Sequence, residues 1–162
     1  MARYAVSNVL AGAEQALSTT YKTQIVTTAA TGATTLRRGW IDEIEVGADG
    51  AAVSTDCQIV WAWQQQTAAG TVTAATPNPT PDGADAAALL TYGINATAEG
   101  TYAITSTLLA FSTNQRQSQR VAFADFRLTP LIIPAVNLKG IALTAKSTNY
   151  NSTVVAQEYV VE

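Results

Sequence analysis

Apolar and polar positions along this chain alternate in short runs separated by turn residues, and a helical period is almost absent. That pattern predicts strands, and their number predicts a sandwich or barrel. The clearest run is 57–65, where Cys57, Ile59, Trp61 and Trp63 fall on one face and Gln58, Ala62 and Gln64 on the other, the period of two of a half-buried strand. A strand at 40–46 ends at Gly47-Ala48-Asp49-Gly50, where glycine supplies turn geometry. Further strands are expected at 21–26, 70–75, 104–111, 119–127, 140–146 and 153–161, which makes about eight. Eight short strands fit two four-stranded sheets, and the jelly roll is the arrangement expected.

Two segments depart from this pattern. Residues 1–35 scatter Ala, Thr and Ser around isolated apolar positions, so they are expected as an extended N-terminal arm ahead of a β-sandwich domain at 36–162. Around 80–93 the chain reads as one short helix. Thr80 can cap it, Pro81 suits its first position, Asp82 and Asp85 favour its positive end, and Gly93 can end it. Such a helix would seal one open edge or end of the sandwich.

Composition turns this fold into a surface argument. Charged residues make up 13% of the 162 and hydrophobic ones 48%, against a usual charged share of about 25%. Ala and Thr fill the gap with about a third of the chain. A weakly charged, moderately apolar surface favours being covered by a partner. Net charge is −3, and no basic cluster exceeds the pair Arg37-Arg38, so nucleic acid is not an expected partner. No charged leader with an apolar core and cleavage site opens the chain, and apolar runs are only a few residues long. Neither signal-peptide secretion nor a membrane span is expected. Cys57 stands alone and reads as a small buried hydrophobe.

Candidate chemistry is sparse. The chain has no histidine, which removes the commonest general base and metal ligand and excludes Ser-His-Asp and Cys-His nucleophile systems. Asp42, Glu43 and Glu45 could pair as glycosidase carboxylates or bind calcium, and the plainer reading is a solvated strand face. The ten glycines form no phosphate-binding loop. Asn95-Ala96-Thr97 and Asn151-Ser152-Thr153 match the glycosylation triplet by chance in a Thr-rich chain. Trp61 and Trp63 would make a sugar-stacking platform if exposed, whereas their spacing with Cys57 and Ile59 suits core packing. The run Asn114-Gln115-Arg116-Gln117-Ser118-Gln119-Arg120 is rich in hydrogen-bonding groups and reads as a loop, either a contact surface or a solvated turn. No catalytic, cofactor-binding or metal-ligating residue is expected. The candidate protein-contact residues are Arg37, Arg38, Asn114, Gln115, Arg116 and Arg120.

Several stretches together resemble a known family. They are Trp63-Gln64-Gln65-Gln66-Thr67-Ala68-Ala69-Gly70-Thr71, then Ala75-Thr76-Pro77-Asn78-Pro79 leading into Asp82-Gly83-Ala84-Asp85-Ala86-Ala87-Ala88. Asn114-Gln115-Arg116, Leu131-Ile132-Ile133-Pro134-Ala135 with Gly140-Ile141, and a C-terminal strand ending at Glu162 belong with them. This set resembles the cement or decoration proteins of tailed-bacteriophage capsids, a family that includes jelly rolls, over about residues 38–162. The first 35 or so residues have no counterpart in it, and the chain ends less acidically. The resemblance implies a non-enzymatic structural virion protein, made in the bacterial host cytoplasm. It implies a homotrimer or similar cluster on the outer capsid, bound to the major capsid protein at local threefold positions. A head-fibre base, a tail component or a carbohydrate- or receptor-binding sandwich are the alternatives. Exposed Trp61 and Trp63 would favour the last.

Overall fold

The computed structural model describes residues 1–9, 14–29, 36–80 and 82–162, with the main chain alone at 104–106. Twelve strands run through them: β1 (Arg3–Ser7), β2 (Lys22–Thr28), β3 (Gly39–Ala48), β4 (Gln58–Ala68), β5 (Thr71–Ala75), β6 (Asn78–Thr80), β7 (Thr91–Ala98), β8 (Thr101–Asn114), β9 (Gln119–Ala122), β10 (Ile132–Ile133), β11 (Gly140–Lys146) and β12 (Val154–Val161). They build two six-stranded sheets. In sheet A the order is β10-β3-β12-β1-β6, with β9 sharing the same side of β3 as β10. In sheet B it is β5-β7-β2-β11-β4-β8. Every pairing between these strands is antiparallel, so the molecule is an all-β sandwich.

Alternation decides which face goes inward. On β4, Ile59, Trp61 and Trp63 are fully buried; on β3, Ile41, Ile44 and Val46 meet them from the other sheet's side of one core cluster. Each such side chain contributes about 1.5–3 kcal/mol of burial. The two indoles also keep their polar atoms satisfied, Trp61 Nε1 donating to Thr113 Oγ1 at 2.9 Å and Trp63 Nε1 to Glu158 Oε1 at 2.8 Å. That second bond runs from β4 in sheet B to β12 in sheet A.

Residues 58–75 pair with 91–114 as one long ribbon. Gln58 stands opposite Asn114, Ala68 opposite Thr101, Thr71 opposite Ala98 and Ala75 opposite Tyr92. Three register shifts between Trp63 and Ala68 bend it, as bulges do. The bend delivers β5 and β7 to the edge of sheet B opposite β4 and β8. The loop between β5 and β7 carries β6 to the edge of sheet A, against β1.

Four expectations from sequence need correction. Residues 1–35 are not an arm where they are described: β1 sits between β12 and β6, and β2 sits between β7 and β11. The reason is that Tyr4 and Val6 are buried on β1, and Ile25, Val26 and Thr27 on β2. The strand expected at 21–26 corresponds to β2. The helix expected around 80–93 is absent: 82–90 is turn and bend, and β7 begins at Thr91, while Pro81 lies outside the described residues. A first helical turn is costly and needs a packed face to offset it, and here the alanines offer none. The segment is held in other ways. Ala84 N–H donates to Asp82 Oδ1 at 2.9 Å, Tyr4 Oη donates to Ala86 O at 2.6 Å, and Leu89 and Leu90 N–H donate to the Glu162 carboxylate at 3.1 Å. The count of about eight strands falls short of twelve, because β1, β6, β7 and β10 are short or lie in segments read otherwise. The strand expected at 119–127 stops at Ala122, and a 3-10 turn follows at Phe126–Leu128.

Candidate contact surface

The outer face of sheet A carries a row of charges across four strands. Arg3 on β1 lies over the Tyr159 ring of β12 at 4.2 Å and donates to Glu43 Oε2 at 2.6 Å and Asp42 Oδ2 at 3.1 Å on β3. Arg120 on β9 takes the other Glu43 oxygen and also pairs with Glu45 Oε1 at 3.3 Å. A bulge makes this possible: Tyr159 faces Glu43 but Val160 faces Ile41, so Asp42 is the extra residue and stands beside Glu43. The Arg120 hydrogen bond, together with Arg3, holds the Glu43 carboxyl below its usual range despite burial. A carboxylate engaged at both oxygens by guanidinium groups is a poor proton donor or nucleophile. The acidic strand face expected from sequence is therefore a clamp across the sheet.

The six contact candidates are not brought together. Arg37 and Arg38 are exposed just before β3. Residues 115–118 line a cleft with Gly47 and Ala48 at the far end of that strand, so about 30 Å of strand separates the groups. Gln115 is only 4% exposed and works as a staple. Its Oε1 accepts from Val53 N–H at 3.0 Å, and its Nε2 donates to Val53 O and Thr55 O at 3.1 Å. It is not available for contact. Asn114 Oδ1 accepts from Arg116 N–H at 2.9 Å, which shapes the turn, and Arg116 pairs with Asp56 at 3.3 Å in solvent. Arg120 belongs to the charge row. Arg37, Arg38 and Arg116 stay presented.

Sequence reasoning missed an apolar segment beside Arg38. Leu128 is 76% exposed, and Ile132, Val136 and Leu138 are exposed too. Ile132 pairs with Trp40, and the Trp40 ring meets Phe126 edge-on with centroids 5.4 Å apart. The signal was present in the run Leu131-Ile132-Ile133, whose period of two buries Leu131 and Ile133 and turns Ile132 outward. Arginine is among the residues enriched at protein interfaces, and here Arg37 and Arg38 border exposed apolar side chains.

Other features bear on the alternatives. Trp61 and Trp63 are fully buried, so they form no sugar-stacking surface. A half-open cleft of about 530 Å³ is lined by polar groups that include Asp56, Gln58, Asn114, Lys146 and Asn149. Among the described residues no three His, Cys, Asp or Glu side chains converge where a metal ion could sit, and no helix is long and apolar enough to cross a membrane. Glu158 is fully buried between Val6 and Ile44 in sheet A, and burial pushes its carboxyl up to about 8 against the opposing bonds from Trp63 and Thr27. Comparison with known proteins gives no match: no family model, no curated protein and no solved structure matches the chain.

Proposed function

We propose that this chain is a structural virion protein that coats and stabilises the outside of a tailed-phage capsid, acting through contacts with the major capsid protein and with copies of itself, in a homotrimer or similar ring. The observation that carries the contact reading is the exposed apolar segment at 128–138 beside Arg37 and Arg38, on a protein with few charges to keep partners apart. The architecture reading is a jelly roll. Its support lies in the eight strands β1, β2, β3, β4, β8, β9, β11 and β12. Taken as first to eighth, they lie in the orders 1-8-3-6 and 2-7-4-5 in the two sheets, the interlocked Greek keys of that fold. On this reading β5, β6 and β7 are an insertion between the fourth and fifth strands.

A saccharide-binding role is the second reading, favoured by the polar cleft near Asp56 and Asn114 and weakened by the burial of both tryptophans. Heat challenge of capsids with and without the protein separates the two. Capsids that burst at a lower temperature without it support the coat role. Unchanged durability, with glycan binding blocked by Asn114→Ala, supports the second.

A further inference from the structure

Two strands of sheet B pair on one side only among the described residues: β8 with β4, and β5 with β7. An unpaired strand edge is a template for another strand, and proteins usually blunt it with brevity, proline or charge. Sheet A does so. Its edge strand β6 has three residues with Pro79 among them, β10 has two residues, and β9 has four with Arg120. Sheet B does not. The sequence of β8, fourteen residues long, has no charge, proline or glycine, and neither has the five-residue β5.

Direction selects the partner. All pairings in sheet B are antiparallel and its strands number six, so its two edge strands run in opposite directions. A second copy rotated about an axis parallel to the strands keeps its own strand directions, and its β5 then meets β8 antiparallel. A twofold contact of β8 with β8 would leave β5 open in every copy, whereas a head-to-tail contact uses both edges and can close into a ring. Side chains allow close approach. Ala110 and Ser112 on β8, and Thr73 and Ala74 on β5, are small and exposed, and no like charges oppose each other across the seam.

We propose that the β8 edge of one copy pairs with the β5 edge of the next, which makes sheet B continuous around the oligomer. This rests on the self-association reading above and names its seam. The test places Thr73→Cys in one chain with Leu108→Cys, Ala110→Cys or Ser112→Cys, and oxidises each double variant at low protein concentration. Directly opposed residues bring Cβ atoms about 4.5–5.5 Å apart, close to what a disulfide needs, and Cys57 is buried and does not compete. One of the three pairs is expected to give covalent oligomers on a non-reducing gel, with neither cysteine giving them alone. Ala110→Lys is expected to yield a monomer by light scattering with an unchanged circular dichroism spectrum. A wild-type trimer that none of the pairs cross-links, or that Ala110→Lys leaves intact, would overturn the seam and leave self-association standing. Covalent dimers from Ala110→Cys alone would replace it with β8-to-β8 pairing. A wild-type monomer at all concentrations would remove both the seam and the reading beneath it.

Discussion

Trp63 and Glu158 join the two sheets through one hydrogen bond, indole Nε1 to carboxyl Oε1 at 2.8 Å. The acid is fully buried, and its second oxygen lies 3.5 Å from Thr27 Oγ1. The fold therefore holds it as the neutral acid, with its carboxyl pushed up to about 8 from an ordinary 4.5. Between those values the folded state keeps a proton that the unfolded chain has lost. Stability contributed by Glu158 is thus full below about pH 4.5 and is lost as pH rises to about 8. Melting temperature is expected to fall over that window. Glu158→Gln keeps an acceptor for Trp63 without the proton, so the variant should match the native protein near pH 5 and exceed it near pH 9. A native curve that is flat or rising between those points would refute this account.

Glu43 has the opposite sign. The Arg120 and Arg3 hydrogen bonds hold its carboxyl below the usual range, so its contribution is present above the unfolded value and disappears as pH falls through the folded one. Glu43→Gln should remove stability at pH 7, by about 2 kcal/mol, since it breaks bonds to charged donors, and should lose less by pH 3. Urea denaturation at the two pH values measures the difference. An equal loss at both would show that the clamp across β1, β12, β3 and β9 is packing rather than charge.

Asn8 ties the N-terminal segment into the core. Its Nδ2 donates to Val154 O at 2.8 Å and Gln24 Oε1 at 3.1 Å, its Oδ1 accepts from Ala156 N–H at 2.8 Å, and its carbonyl accepts from Asn95 Nδ2 at 2.8 Å. Asn8→Ala strands three buried partners, each costing about 1–3 kcal/mol, and a loss of at least about 3 kcal/mol is expected in urea unfolding. Deleting residues 1–9 should abolish cooperative unfolding altogether, because β1 is an inner strand of sheet A. A truncated protein that still melts cooperatively would restore the arm expected from sequence.

These residues also explain what the sequence disclosed and what it hid. The β4 strand was legible because Ile59, Trp61 and Trp63 recur at every second position between Gln58 and Gln64. In β1 only Tyr4 and Val6 point inward, too few to establish a period. The segment around 80–93 carried helix-end chemistry at Thr80 and Gly93 without an apolar face between them. Gly93 serves a different need, since a Cβ there would collide with the Val72 side chain of β5. Glu158 could have been found, because the alternation Val154, Ala156, Glu158, Val160 places it inward once the strand is accepted. The charge clamp could not, since it joins residues 3, 43 and 120 through a bulge that no local pattern announces.

Gly140 stands opposite Thr28 where β11 packs tightly on β2. A Cβ there would collide with the Thr27 carbonyl oxygen, which is backbone and cannot rotate away. Gly140→Ala should therefore cost about 3 kcal/mol or more, as overpacking against main chain does. Gly83→Ala, where a Cβ meets open space, should be nearly neutral. Thermal melts of the pair provide an internal control, and equal effects would refute the register assigned to β2 and β11.

The apolar segment beside Arg38 separates contact from folding. Leu128 is largely exposed and Ile132 half so, while their neighbours Leu131 and Ile133 are buried. Leu128→Asp adds a charge where water already reaches, a change expected to stay within about 0.5 kcal/mol of native stability. On a covering partner the same carboxylate would be desolvated without a counter-charge, which interfaces do not tolerate. Arg38→Glu reverses an exposed charge beside that segment and should act in the same direction. Both variants are expected to melt within a few degrees of the native protein, and on the coat role proposed above both should fail to raise the temperature at which capsids lacking the native protein come apart. Loss of folding in Leu128→Asp would place that side chain in the core. Full capsid protection by both variants would move the contact surface away from this edge, toward the cleft at Asp56 and Asn114.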